Sequence, residues 1–360
     1  MDIKGTTKTK ESPIELYIGI DVHLKSWHVT ICSQSIVLQS FSQPPTVDAL
    51  ITYLEKRYPD CVYHSVYEAG FCGFWIHREL VAKGINNIVV NACDVPSTDK
   101  EKRQKRDKID SQKLSKSLRG GILKGIYIPT IEEQEDRSLI RTRKQLVRDI
   151  SRYKNRIKSH LYYKGVTIPD EFLRSSGYWK KSFKNWLNEL KLANEAGSFA
   201  LEQQLQALDK LEDQLSEINR CIRAVAKSSR YRTKVELITS VPGIGLIAGM
   251  TILTELGNIH RFKRVDQLNS FAGFIPNVYA SGDKEYVGEL TKRGNNHLRS
   301  TIIECSWWAV RNDPALTMTY EKLCFRMRPN KAIIRIARKL LSRLRYVLVN
   351  EEPYKLGIST

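Results

Sequence analysis

The spacing of apolar positions changes character three times along the chain. Between Tyr17 and Pro129 the apolar runs are short and bounded by polar turns. Tyr17-Ile18-Gly19-Ile20 leads into Asp21, Trp27–Cys32 follows, and Ile36–Phe41 alternates; further runs occupy Val62–Tyr67 and Ile88–Val90. These read as strands, and helical periodicity appears at Val47–Arg57, Phe74–Lys83 and Asp110–Leu118. Three early strands followed by alternating helices and strands is the order of an RNase H-like fold, and a generic open α/β sheet fits the same order.

From Ile131 to Leu161 the period lengthens into one long helix, with Leu146, Ile150, Tyr153, Ile157 and Leu161 three or four residues apart. A second long helix is predicted over Phe199–Ala226. Leu201, Leu208, Leu215 and Ile222 take its heptad a positions, and Gln204, Leu211, Ile218 and Val225 take d. This is a coiled-coil pattern, satisfied either by an antiparallel hairpin packed on itself or by self-association. Between the two helices, Val166–Ser198 contains Pro169, Gly177, Gly197 and several aromatics, and reads as an inserted lobe.

The remainder, Arg232 to Leu348, is predicted to be mostly helical. Leu237–Ala248 has the form of a helix-hairpin-helix, whose exposed amides at Gly243 and Gly245 can hold a DNA phosphate without reading sequence. A glycine turn between packed helices has the same pattern. The expected fold class is therefore α/β + α. Its parts are a polar amino terminus (1–15), an RNase H/RuvC-like domain (16–130), a long-helix coiled-coil region (131–230, with the lobe at 166–198), a mostly helical carboxy-terminal domain (231–350) and a tail (351–360).

Composition adds one strong constraint. The 360 residues are 41% apolar and 27% charged, an ordinary globular balance, yet 58 Lys+Arg against 39 Asp+Glu give a net charge of +19. Solubility does not need so much charge, and it points to a polyanionic partner. The excess is concentrated. Residues 99–124 hold ten basic and four acidic side chains, 137–164 ten and one, and 322–350 nine and none. The last strip lies on an amphipathic helix around Lys331–Arg345, with Ile334, Ala337, Leu341, Leu344 and Leu348 as its buried face. Seven scattered cysteines form no metal or disulfide framework and suit a reducing compartment. The first fifteen residues carry no apolar signal core. The uncharged run Leu237–Thr254 contains Pro242 and three glycines, so a membrane span is not expected.

The candidate chemistry begins with carboxylates. Asp21 and Glu68 each close an apolar strand, and Asp107 and Asp110 sit three apart at a helix start, on one face. Four acids delivered in this way can hold two Mg²⁺ ions for phosphodiester cleavage, although strand-end acids also serve as turn residues and helix-start acids as caps. Further along, Ser281 is expected in a glycine-flanked loop near Gly288, Lys292, Arg293, Gly294, Asn295 and Arg299. A serine there can attack a phosphodiester, or simply form a Ser-Gly turn. Lys105, Arg106, Arg141, Arg148 and Arg156 are the remaining candidates for holding nucleic-acid backbone.

Six motifs resemble, in order, the DEDD transposases of bacterial insertion sequences: GIDVHLKSWHV, YEAG, KRDKIDSQKL, RTRKQLVRDISRYKNRIKSHL, VPGIGLIAGMTILTELG and AGFIPNVYASGDKEYVGELTKRGNNHLR. The resemblance covers nearly the whole chain except the polar amino terminus and the lobe. It implies a RuvC-like domain binding Mg²⁺ (or Mn²⁺) through Asp21, Glu68, Asp107 and Asp110, and a nucleophilic Ser281. It also implies double-stranded DNA substrates, a bridge non-coding RNA as guide, and dimers assembling into a tetramer through the coiled-coil region, with one subunit's RuvC-like domain meeting another's serine. A cytoplasmic, bacterial, nucleoid-associated protein would follow. Two other readings stay open on the residues alone, a RuvC-type metal-dependent nuclease with a structural Ser281 and a non-catalytic nucleic-acid-binding protein.

Overall fold

A computed structural model describes residues 13–96, 107–173, 179–281, 284–291 and 293–356. The chain divides into two compact units, one ending at Ile128 and one beginning at Pro129.

The first unit is built on strands β1 (Glu15–Val22), β2 (Trp27–Cys32), β3 (Val37–Gln43), β4 (Val62–Glu68) and β5 (Asn86–Val90), in spatial order β3-β2-β1-β4-β5. β1 to β3 form an antiparallel meander, while β4 and β5 run parallel to β1. Helices α1 (Val47–Arg57), α2 (Trp75–Ala82) and α3 (Asp107–Arg119) complete it. This mixed sheet fits the RNase H-like expectation. Ile18, Ile20, Val29, Ile31, Leu50, Leu54, Ile76 and Leu80 pack into one core. Val66, Val90 and Leu114 pack in a second cluster, with Leu114 supplied by α3.

That helix lies unusually close to the sheet. Added to Gly19 of β1, a Cβ would stand 2.1 Å from the Ser111 carbonyl oxygen and 2.5 Å from the Ser115 amide nitrogen. Glycine opposite two buried serines is what lets helix backbone approach strand backbone. The serine hydroxyls are satisfied there: Ser111 Oγ is 2.8 Å from Thr30 Oγ1, and Ser115 Oγ donates to the Tyr17 carbonyl at 2.7 Å. Because Ser111 meets Gly19 while Ser115, one turn later, meets Tyr17, α3 runs opposite to β1.

In the second unit, α4 (Ile131–Tyr163) and α7 (Glu195–Ala226) are the two long helices, separated by the short α5 (Asp170–Leu173) and by α6 (Lys181–Glu189). A Thr130–Glu133 capping box starts α4. The pairs Arg143–Asn219 (2.7 Å), Lys154–Glu212 (2.8 Å) and His160–Gln204 (3.5 Å) show that α4 and α7 are antiparallel. The heptad positions of α7 therefore face its own chain: Leu201, Leu208 and Ile222 are buried, and Gln204 lies against His160. Phe172, Phe183 and Leu187 of the 166–198 lobe join Ile150, Ile157, Leu161, Leu201 and Leu205 in one core. The lobe thus closes the distal end of the hairpin. Its residues 174–178, including Gly177, lie outside the described residues.

The remaining helices are α8 (Arg232–Thr239), α9 (Leu246–Leu256), α10 (Val265–Ala272), α11 (Asn296–Asn312), α12 (Pro314–Cys324) and α13 (Pro329–Asn350). They surround a single core in which α13 contributes Ile333, Ile336, Ala337, Leu340, Leu341, Leu344, Val347 and Leu348. Ile334, expected on that buried face, is only half-buried. The apolar run 237–254 is split by a turn into α8 and α9, and α9 has 11 residues, fewer than a bilayer requires. Among the described residues no helix is long and apolar enough to cross a membrane.

The sequence did not suggest one element, the hairpin of β6 (Pro276–Ser281) and β7 (Lys284–Leu290), which pairs Ser281 with Lys284. Ser281 accordingly ends a strand, where the flanking glycines predict a loop. Two short runs with β-prone pairs, Val278-Tyr279 and Tyr286-Val287, around Ser-Gly-Asp-Lys carried that signal, obscured by the neighbouring glycines.

Candidate active site and nucleic-acid interface

Parallel pairing aligns β1 with β4 as far as Ile20 opposite Tyr67. Asp21 and Glu68 are the next residue on each strand, so both carboxylates stand at the carboxyl ends of adjacent parallel strands and on one face. It is the face of Gly19 and Val66, which α3 covers. Since α3 runs opposite to β1, its amino-terminal turn, with Asp107 and Asp110, points toward the same strand ends. The side chain of Asp107 lies outside the described residues. Asp21 is half-buried, with His23 Nε2 at 3.2 Å from its Oδ2. Asp110 lies 3.8 Å from Lys113 Nζ.

The donor set is all carboxylate oxygen, which suits Mg²⁺ or Mn²⁺ and not a soft metal. Two strands and one helix supply it from scaffold positions, and the helix amino terminus favours the negative charge. Among the described residues, which do not include the Asp107 side chain, no three potential ligands are gathered closely enough to hold an ion.

In the second unit the candidate nucleic-acid residues divide into two groups. Arg148 and Arg156 lie exposed on α4, with Arg156 over the Tyr153 ring at 4.5 Å. Lys331, Arg335, Arg338 and Lys339 on α13 are exposed as well. Arg141, Asn295 and Arg299 are half-buried and instead engaged by other groups of the unit. Arg141 donates through Nε and Nη2 to the two oxygens of Glu255, each at 2.8 Å, and Asn295 Nδ2 donates to Glu255 Oε2 at 2.6 Å. Arg299 donates to the carbonyls of Ala272 (3.1 Å), Thr291 (3.0 Å) and Arg293 (2.6 Å).

Sequence reasoning missed Glu255, which is 1% exposed on α9. Burial alone would raise its carboxyl, but the hydrogen bonds from Arg141 and Asn295, with the charges of Arg141 and Arg137, hold it below the usual range. Burial and the nearby Arg141, Lys144 and Arg148 push His297 down, against the pull of Glu255. The only sequence signal for Glu255 was a lone acid closing an apolar helix.

The two glycines of the expected helix-hairpin-helix also differ. Gly243 (φ +85°) packs against α11, where a Cβ would stand 2.6 Å from the Ala309 amide nitrogen and the Cys305 carbonyl oxygen. Its role there is close packing between the turn and a helix. Gly245 has open space around it and heads α9 with no side-chain cap. Lys105, Arg106 and Lys292 lie outside the described residues. At the far end of α4, Tyr162 and Tyr163 are 90% and 82% exposed, presenting aromatic faces that the sequence pattern had not marked as surface.

Comparison with known proteins gives matches on both units. Residues 18–163 match a DEDD transposase model of the IS110 type, and residues 235–321 match the model described as transposase IS116/IS110/IS902 family. A putative transposase y4rJ of Sinorhizobium fredii is 30% identical over 304 residues, covering 77% of this chain and 74% of the relative. The transposase for insertion sequence element IS1533 of Leptospira borgpetersenii is 26% identical over 301 residues, 81% and 85% of the two chains. That for IS1111A of Coxiella burnetii is 24% identical over 268 residues, 71% and 70%.

Proposed function

The chain belongs to the IS110-type DEDD transposases, a family of enzymes that act on DNA, and on that premise we propose that it cuts and rejoins DNA strands with Ser281 as nucleophile. The observation that carries this reading is the common placement of Asp21 and Glu68 at adjacent parallel strand ends, on the face where α3 docks. Asp21, Glu68, Asp107 and Asp110 would hold Mg²⁺ or Mn²⁺. When bound, such an ion supplies positive charge to the phosphoryl oxygens and lowers the cost of forming an attacking oxygen.

The chain's own residues do the rest. Ser281 Oγ gives up its proton and bonds to phosphorus, the phosphodiester bond to the leaving deoxyribose oxygen breaks, and that oxygen takes up a proton, so that none is gained or lost overall. A phosphoserine ester retains the energy of the broken bond, so a hydroxyl of a second duplex can displace Ser281 without ATP. Arg148, Arg156 and the basic face of α13 hold the backbone during exchange, and the first turn of α9 after Gly245 offers backbone amides to a phosphate.

We read the guide as a bridge RNA and the working form as dimers paired into a tetramer. The strips of positive charge support the first, because they bind phosphate without reading sequence and leave sequence to base pairing. The resemblance alone supports the second. The test is recombination by purified protein with Mg²⁺, guide RNA and DNA carrying an element end and a target. Ser281→Ala abolishes strand exchange and leaves RNA binding intact; full recombination by that variant overturns the reading. Cleavage that persists in Ser281→Ala but disappears in Glu68→Gln would instead mark a metal-dependent nuclease.

A further inference from the structure

The β6–β7 hairpin joins the body of its unit through Ala272–Ile275 on one side and Thr291–Asn295 on the other. These two ends are locked together. Thr291 N donates to the Ile275 carbonyl at 3.3 Å and Asn295 N to that of Phe271 at 2.8 Å. A Cβ on Gly294 would stand 2.6 Å from Gly273 Cα, and one on Gly273 (φ +77°) 2.5 Å from the Arg293 carbonyl oxygen, so the two backbones touch. Arg299 spans the gap by donating to Ala272 on the first side and to Thr291 and Arg293 on the second.

Both Arg299 and this knot hang on the first turn of α11, whose orientation depends on Asn295. Its Oδ1 accepts from Leu298 N at 3.0 Å, capping the helix, while its Nδ2 donates to Glu255 at 2.6 Å. An amide can be turned either way, but a carboxylate only accepts. Glu255 therefore selects the orientation in which Oδ1 faces the helix. The carboxylate itself is fixed by the two-pronged Arg141 contact from α4 and lies in the core of the unit. Burying a charge costs several kcal/mol unless it is paired, and an apolar replacement is often as stable; fixed geometry is what the ion pair adds.

We infer that Glu255 is a positioning residue that acts through Asn295 to fix the base of the hairpin carrying Ser281. Its catalytic consequence rests on the reading of Ser281 as nucleophile; its structural part does not.

Two variants of the full chain test it. Glu255→Gln leaves one oxygen where the carboxylate had two, so whichever way its amide is turned it sets a donor against Arg141 Nε or against Arg141 Nη2 and Asn295 Nδ2, and the three-way lock is broken. Asn295→Ser keeps a good helix cap but cannot reach Glu255. In both, the rate of covalent protein–DNA adduct formation at saturating DNA falls ten-fold or more, with apparent DNA affinity within two-fold of wild type. Amide hydrogen exchange over 272–281 and 291–298 accelerates ten-fold or more, while α13 stays protected. Unchanged exchange at the hairpin base overturns the inference. So does faster exchange there with an unchanged adduct rate, or protection lost evenly across α9 and α13 with activity tracking the folded fraction. If wild type itself forms no adduct, the nucleophile reading fails, and the exchange measurement alone supports or overturns the clamp.

Discussion

Gly19 and Ser111 meet backbone to backbone, and a single methyl group on Gly19 would come within 2.1 Å of the Ser111 carbonyl oxygen. This contact sets the distance between β1 and α3, and so between Asp21 and the acids that begin α3. Gly19→Ala is expected to force the helix outward, because backbone on both sides leaves no flexible side chain to yield. Overpacking of this kind costs about 1–3 kcal/mol. Denaturant unfolding should show that loss, and Mg²⁺-dependent DNA cleavage should fall by more than the fraction of folded protein accounts for. Ser115→Ala, which loses one hydrogen bond to the Tyr17 carbonyl, should cost only about 1 kcal/mol and leave cleavage nearly intact.

The first unit was largely legible in the sequence. Its strands are short, apolar and separated by polar turns, so Trp27–Cys32 and Val47–Arg57 are observed with the ends that pattern predicts. The placement of Asp21 and Glu68 near strand ends was legible for the same reason, since each follows an apolar run. What periodicity cannot show is that Gly19, Ser111 and Ser115 form one contact, because small residues carry no pattern across 92 positions of sequence separation. In the second unit, positive charge was read as an outward-facing property. Arg148 and Arg156 agree with that, whereas Arg141 and Arg299 turn inward to a buried carboxylate and to backbone carbonyls. No one-dimensional pattern distinguishes these cases, since a partner can be a backbone carbonyl, as for Arg299, or lie far along the chain, as Glu255 does from Arg141.

The two kinds of arginine should separate experimentally. Arg148→Gln is expected to weaken DNA binding uniformly across sequences and to reduce the slope of log affinity against log salt by about one. Thermal stability should stay within about 0.5 kcal/mol, as for exposed positions in general. Arg141→Gln takes away the two-pronged partner of the buried Glu255 and leaves Asn295 and Arg137, which should cost stability by up to the about 3–5 kcal/mol of a broken buried pair. A salt-dependent binding series alongside thermal melts would distinguish them.

Glu255 also makes a pH prediction. Its carboxyl is held below the ordinary value of 4.5 in the folded chain. It therefore contributes stability that is present above the carboxylate range and is lost as pH falls through it toward the folded value. Glu255→Gln should be less stable than wild type at pH 7, and the gap should narrow as the pH is lowered below 4.5. Unfolding curves of both proteins from pH 7 downward measure this directly.

The segment after α13 is held by a second buried carboxylate. Asp313, 1% exposed, caps α12 through Leu316 N at 3.1 Å, pairs with Arg343, and accepts from the Tyr354 hydroxyl at 2.7 Å. Tyr354 N in turn donates to Ser240 Oγ at 2.8 Å, in the turn between α8 and α9. Burial, with the hydrogen bond to Asp313, pushes the Tyr354 phenol up to about 12. Tyr354→Phe should cost about 1.5–3 kcal/mol, the value of a hydrogen bond to a charged group. Its melting curve should nevertheless stay cooperative, since Arg343 still neutralises Asp313.

The nucleophile is the part of the proposed function that a single measurement reaches most directly. Protein incubated with Mg²⁺, guide RNA and cleavable DNA is quenched in denaturant, treated with nuclease and protease, and its peptides are weighed. A nucleotide phosphate ester on Ser281, absent in Ser281→Ala and absent when the divalent cation is chelated, is the predicted result. Strand exchange with no covalent protein–DNA species, or with the ester on another residue, would contradict it.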